Sequence, residues 1–205
     1  MIKVKICGIK TKGEAEILNR WQPDFAGFVF AEGKRQISLE KAIELKAILS
    51  PQIKTVGVFV NAPLEQAVRA AERGAIDFIQ LHGQEEGSYM EALRNYTDKP
   101  LIKALRVRTR EDILQGEKLP CDYLLLDTYV KGSWGGSGQA FDWSLIPPIE
   151  KPYFLAGGLT GENVELAMSL AAPFALDVSS GVEGPDGKDE EKIREFIDKV
   201  RKNHE

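Results

Sequence analysis

Four residues able to move protons each close, or nearly close, a short apolar run. They are Cys7 in Ile2-Lys3-Val4-Lys5-Ile6-Cys7-Gly8, His82 in Gln80-Leu81-His82-Gly83, Asp127 in Leu125-Leu126-Asp127-Thr128 and Asp177 in Leu176-Asp177-Val178-Ser179. A thiol, an imidazole and a carboxylate serve as general acids and bases once their surroundings tune their proton affinities. Two glycine-bearing turns offer something different. Ala156-Gly157-Gly158-Leu159 and Ser179-Ser180-Gly181-Val182 let backbone N–H groups approach an anion closely, and the first also leads into a helix, so the pair suits a phosphate. Taken singly, each residue has a plainer use: a lone Cys packs, an Asp after a strand caps or turns, and a His is held structurally. Cys121, at the start of its apolar run, keeps the packing reading.

The elements that must carry these residues alternate along the whole chain. Runs rich in β-branched, aliphatic and aromatic residues predict strands over Ile2–Ile6, Phe25–Phe30, Thr55–Val60, Phe78–Leu81, Pro100–Ala104, Tyr123–Leu126, Tyr153–Ala156 and Phe174–Val178. Segments with helical spacing lie between them. Thr11 and Glu14 fit a capping box, Ser38 caps the next helix, Pro63 suits a first helical turn, and Ile193, Phe196, Ile197 and Val200 mark one face of a final helix from Glu190 to about Lys202. Two segments read poorly as helices: Thr109–Leu119 contains Gly116, and Phe141–Ile149 ends at Pro147-Pro148.

Strands alternating with helices imply a parallel sheet with right-handed crossovers. Eight units with no strand left over favour a single α/β domain over residues 1–205, a closed eight-stranded (β/α)8 TIM barrel, over an open doubly wound sheet. Each unit then averages about 26 residues, the small end of that fold's range. In such a barrel the strand carboxyl ends and the loops after them form the functional face, and the phosphate site follows strands seven and eight. All four proton-moving residues and both glycine turns fall there. On the first strand, a period of two sets Ile2, Val4 and Ile6 on one face and Lys3, Lys5 and Cys7 on the other, so Cys7 points into the barrel mouth if the apolar face meets the helices. The glycine-rich stretch Lys131–Gly138 follows Asp127 and reads as a cover over bound substrate.

Composition narrows the partners. With 27 basic and 31 acidic side chains in 205 residues the net charge is -4, and no basic run interleaves with aromatics, which argues against nucleic acid. No run approaches the ~20 apolar residues of a membrane helix, and the charged start is unlike a secretory signal, so the expected location is the cytoplasm. Two cysteines make no disulfide framework and stand in no metal-ligand spacing, so no metal site is expected.

At Lys5-Ile6-Cys7-Gly8-Ile9, Gly27-Phe28-Val29-Phe30, Gly57-Val58-Phe59-Val60-Asn61, Gln80-Leu81-His82-Gly83, Leu126-Asp127-Thr128, Gly135-Gly136-Ser137-Gly138, Phe141-Asp142-Trp143, Ala156-Gly157-Gly158-Leu159 and Asp177-Val178-Ser179-Ser180-Gly181-Val182-Glu183, the chain resembles the phosphoribosylanthranilate isomerases of tryptophan biosynthesis. The matches keep their order over nearly the whole length. The resemblance implies an Amadori rearrangement of N-(5'-phosphoribosyl)anthranilate to 1-(2-carboxyphenylamino)-1-deoxyribulose 5-phosphate. It implies Cys7 as base and Asp127 as acid, with no cofactor, because the substrate's imine serves as electron sink. It further implies that Arg35 meets the anthranilate carboxylate, that Gly158, Ser180 and Gly181 hold the phosphate, and that His82 and Asp177 lie near the ribose hydroxyls or reacting carbons. The loop Ala31-Glu32-Gly33-Lys34-Arg35 departs from the family's usual proline- and serine-bearing form and sets Lys34 beside Arg35 as a second cation; Lys10 stands where a threonine is common. The roles require burial to raise the Asp127 carboxyl from near pH 4 and a positive neighbour to lower the Cys7 thiol from about 8.5.

Two other readings stay open at this level. Another phosphosugar barrel, such as the isomerase of histidine biosynthesis, performs the same rearrangement but usually with two carboxylates, where this chain has Cys7 and Asp127. Indole-3-glycerol-phosphate synthase would need catalytic lysines and an extra N-terminal segment that are not evident. A non-catalytic barrel could keep the anion turns and bind phosphorylated ligands without needing either residue. A monomer and a homodimer are both compatible with the sequence.

Overall fold

The computed structural model describes residues 1–128 and 142–202, so the stretch Lys131–Gly138 lies outside the described residues. Eight strands, β1 (Lys3–Cys7), β2 (Phe25–Val29), β3 (Lys54–Phe59), β4 (Phe78–Leu81), β5 (Leu101–Val107), β6 (Tyr123–Thr128), β7 (Tyr153–Leu155) and β8 (Ala175–Val178), pair in chain order and close into a barrel. All pairs are parallel, and closure of β1 on β8 sets Lys5 opposite Asp177. Around them lie α1 (Lys12–Trp21), α2 (Leu39–Ile48), α3 (Leu64–Glu72), α4 (Gly87–Arg94), α5 (Arg110–Glu117), α6 (Val164–Leu170) and α7 (Glu190–Lys202).

Two apolar layers follow from strands buried on both faces. Val4 and Ile6 pack outward in the helix-facing core with Leu18, Phe28, Phe196 and Ile197. Inside the barrel, Phe25 of β2, Phe78 of β4, Tyr123 of β6 and Phe174 just before β8 come from alternate strands, as a barrel layer requires. Phe154 packs among them, with edge-on ring contacts at 5.4 Å to Phe25 and 5.6 Å to Phe174. This aromatic plug fills the end where the strands start and leaves the opposite end to polar groups.

The helix starts are chemically specified. Thr11 and Glu14 form the expected capping box, and Ser38 Oγ accepts the Lys41 N–H at 3.1 Å. Pro63 occupies the N-cap, one position earlier than a first-turn proline, and Leu64 begins α3. α5 forms despite Gly116. A Cβ there would stand 2.1 Å from Leu105 Cδ1, so the glycine that weakens the helical signal is what lets α5 lie against β5. Between β6 and β7, the described residues hold only a 3-10 turn at Trp143–Leu145, because Pro147-Pro148 cannot continue a helix. β5 runs to Val107, three residues past the expected end, pairing Arg106 with Asp127 and Val107 with Thr128. After β8, a 3-10 turn (Ser180–Val182) leads into a hairpin, β9 (Glu183–Gly184) and β10 (Gly187–Lys188), that was not anticipated.

Candidate active site

At the carboxyl ends of the strands opens a cavity of about 520 Å³, lined among others by Cys7, Arg35, His82, Asp127, Gly158, Asp177 and Ser180. Seven of the eight residues singled out from sequence therefore meet at one space. The eighth, Gly181, acts from behind it: a Cβ there would lie 1.9 Å from the Leu159 carbonyl oxygen, so its lack of side chain lets the turn after β8 press on the turn after β7.

Cys7 ends β1 beside Gly27 of β2, its register partner. A Cβ on Gly27 would sit 2.7 Å from the Cys7 sulfur, so the thiol occupies room that only glycine leaves. Beneath it, Lys5 is fully buried, and its Nζ lies 2.9 Å from Asp177 Oδ1. Lys188, on β10, donates from Nζ to the Ser179 carbonyl at 2.9 Å and lies 3.1 Å from Glu183 Oε1, while Ser179 Oγ donates to the Cys7 carbonyl at 3.0 Å. Burial pushes the Cys7 thiol up; the charges of Lys5 and Lys188 pull against it and that of Asp177 adds to it. Burial also works against charge on Lys5, yet Asp177 and Cys7 outweigh it and its ammonium is held more firmly than usual. Two cations thus stand beside the Cys7 sulfur as the base role asks, yet burial outweighs them and the thiol is raised rather than lowered.

Asp127, on β6, is buried at 5% exposure. Its Oδ1 accepts the Thr128 N–H at 2.8 Å, and its Oδ2 lies 3.1 Å from His82 Nε2. The Gln80 side-chain amide donates to His82 Nδ1 at 2.8 Å, which leaves the ring proton on Nε2, aimed at Asp127. The turn that follows His82 is fixed by a buried knot. Glu85 accepts from the Asn61 and Gly83 N–H groups at 2.7 and 2.9 Å and pairs with Lys103 at 2.9 Å, and Lys103 also donates to the Gly83 carbonyl.

Arg35 approaches from the loop after β2. Gly8 has φ of 88°, and a Cβ on it would stand 2.6 Å from Arg35 Cδ, so the arginine stem lies over the bare backbone at the end of β1. Its Nε and Nη2 donate to the two carboxylate oxygens of Glu183 at 2.6 and 3.0 Å. Lys34 Nζ also lies 3.4 Å from Glu183, so the two cations of the departing loop converge on one carboxylate. Burial opposes charge on Glu183, but Arg35 and Lys188 prevail and hold its carboxyl down at about 2.

Gly157 and Gly158 have φ of 85° and 64°, and a Cβ on Gly157 would meet Thr128 Oγ1 at 2.2 Å. Asn163 staples this turn, donating to the Gly158 carbonyl at 2.8 Å and accepting the Thr160 N–H at 2.9 Å. Sequence reasoning assigned no role to Lys5, Gln80, Glu183 or Lys188. A signal existed for Lys5, whose period-two position shares the Cys7 face; none existed for Lys188, which depends on the hairpin.

The family model described as N-(5'phosphoribosyl)anthranilate (PRA) isomerase matches residues 4–199. An N-(5'-phosphoribosyl)anthranilate isomerase of Lachnoclostridium phytofermentans is 44% identical over 209 residues, covering 96% of each chain. The crystal structure of phosphoribosyl anthranilate isomerase from Thermotoga maritima superposes with a TM-score of 0.89 at 36% identity, covering 98% of this chain and 100% of the other. A further crystal structure of such an isomerase, in complex with reduced 1-(o-carboxyphenylamino)-1-deoxyribulose 5-phosphate, gives a TM-score of 0.84 at 34% identity over 98% and 100% of the two chains.

Proposed function

The chain belongs to the N-(5'-phosphoribosyl)anthranilate isomerase family and catalyses the Amadori rearrangement of tryptophan biosynthesis, and on that premise we propose that Cys7 and Asp127 divide its two proton transfers. The observation that supports this is the meeting of the two residues in one cavity between the Arg35 loop and the glycine turns after β7 and β8.

Asp127, holding a proton, delivers it to the furanose ring oxygen; the C1'–O bond breaks, and the anthranilate nitrogen lone pair forms the C1'=N iminium. Cys7, as thiolate, takes the C2' proton. The electrons of that C–H bond become the C1'=C2' bond and neutralise the iminium nitrogen, giving an enaminol. Ketonisation then places a proton on C1' and releases the 2'-hydroxyl proton, which restores Cys7 and Asp127. His82, hydrogen-bonded to Asp127, and Asp177, paired with Lys5, face the ribose between them. Gly158 and Ser180 take the phosphate through their backbone amides, Gly181 lets their two turns close together, and Arg35 takes the ring carboxylate. Because the imine is the electron sink, the scheme uses no cofactor or metal.

The protein's partner in this reading is its small-molecule substrate, with neither nucleic acid nor membrane bound. The net charge of -4 fits the first exclusion, and no described helix is long and apolar enough to cross a membrane. Residues 1–205 work as one domain, in the cytoplasm, as a monomer or a homodimer. The test is loss of anthranilate-type fluorescence when the purified protein meets phosphoribosylanthranilate made in situ. Turnover supports the reading; product binding with no turnover overturns it.

A further inference from the structure

We propose that Glu183 is the positioning residue for substrate recognition: it grips one edge of the Arg35 guanidinium and so presents the other edge to the aromatic carboxylate. This rests on the assignment of Arg35 to that carboxylate. A guanidinium carries five N–H donors in a plane, enough for two carboxylates on adjoining edges. Glu183 takes the Nε–Nη2 edge with both of its oxygens, at 2.6 and 3.0 Å. Among the described residues that leaves the Nη1 side, and Arg35 itself is among the residues lining the cavity.

The grip is rigid because Glu183 is itself held. It begins β9, and its hairpin partner Lys188 donates its backbone N–H to buried Glu14 Oε1 at 3.0 Å. Glu14 in turn closes the α1 capping box through its other oxygen, which accepts the Thr11 N–H at 2.9 Å. Gly187 makes the approach possible: it has φ of 132°, and a Cβ on it would meet Glu14 Oε1 at 2.7 Å. The Lys188 ammonium reaches back to Glu183 Oε1 at 3.1 Å. The arginine stem, meanwhile, lies on Gly8. Stem and head of Arg35 are therefore fixed from two elements, β1 and the hairpin, before any ligand arrives, so less ordering cost remains for binding.

The test compares two reduced product analogues, one with the ring carboxylate and one made from aniline without it, by titration calorimetry against wild type, Glu183→Gln, Arg35→Met and the double variant. The expected readout is the ratio of the two affinities. Wild type favours the carboxylate analogue, Arg35→Met abolishes that preference, and Glu183→Gln lowers it about tenfold while the affinity for the aniline analogue stays within a few-fold. In the Arg35→Met background, Glu183→Gln changes the ratio no further. A wild-type protein indifferent to the carboxylate, or a preference that survives Arg35→Met, overturns the Arg35 assignment. If Arg35→Met removes the preference but Glu183→Gln leaves the ratio unchanged, raises it, or weakens both analogues equally, the positioning role of Glu183 is wrong while the Arg35 assignment stands.

Discussion

Lys5 and Asp177 face each other where β1 closes onto β8, and their side chains form an ion pair of 2.9 Å with Lys5 wholly out of solvent. The pair joins the first and last strands and lies directly under Cys7. Removing one member leaves the other charge buried alone, which typically costs about 3–5 kcal/mol. Lys5→Met is expected to lose stability on that scale in urea denaturation, and Lys5→Met/Asp177→Leu to recover part of it. A Lys5→Met protein as stable as wild type contradicts this account of the pair.

The same lysine bears on the thiol. Burial raises the Cys7 proton affinity, and of the charges that face it Lys5 and Lys188 lower it while Asp177 raises it. A raised thiol yields thiolate only at higher pH, so alkylation by iodoacetamide in a Cys121→Ala protein should be slow at neutral pH and keep rising beyond the ~8.5 of a free cysteine. Replacing Lys5 by Met removes a cation and should move that profile further up. A profile that levels off below pH 8, or that moves down with Lys5→Met, refutes the reading.

Gly27 tests the fit around the sulfur. A methyl group there would meet Cys7 Sγ at 2.7 Å and its Cα at 2.9 Å, backbone that cannot swing aside. Gly27→Ala should therefore cost about 1–3 kcal/mol of stability and displace the thiol enough to cut turnover at least tenfold. Wild-type kinetics in this variant would show that the position of Cys7 is not confined as described.

Acid should loosen the Arg35 anchor. The folded Glu183 carboxyl, held at about 2, lies below the ~4.3 of an unfolded chain, so its contribution is complete above about pH 5 and is lost as pH falls towards 2. Because Glu183 is partly open to solvent, the contribution is about 1–2 kcal/mol after screening. The stability gap between wild type and Glu183→Gln, read from urea denaturation, should shrink by most of that amount from pH 6 to pH 2.5. A gap that widens towards low pH contradicts the ion-pair assignment.

What the sequence revealed and what it hid divide along physical lines. Strand runs and strand-end polar residues were legible because a barrel strand is an apolar run with a period of two, and its functional residues fall where the run stops. Thus Cys7, His82, Asp127 and Asp177 were all placed at one mouth. The extension of β5 through Arg106 to Val107 was hidden because a charged residue ending a run looks like loop. The α5 helix was obscured by Gly116, whose reason lies in Leu105 and cannot be seen locally. Lys5 looked like an ordinary strand charge until closure set it against Asp177. Glu183 and Lys188 are five residues apart in sequence but meet Arg35, Glu14 and Ser179 only through the fold, so no spacing rule announces them.

The most direct test of the central claim, that Cys7 and Asp127 do the chemistry rather than the binding, is turnover of phosphoribosylanthranilate by Cys7→Ala and Asp127→Asn alongside their affinity for the reduced product analogue. The account predicts that each variant binds the analogue within a few-fold of wild type while kcat falls by about a thousandfold or more. Unchanged turnover in both variants would contradict it.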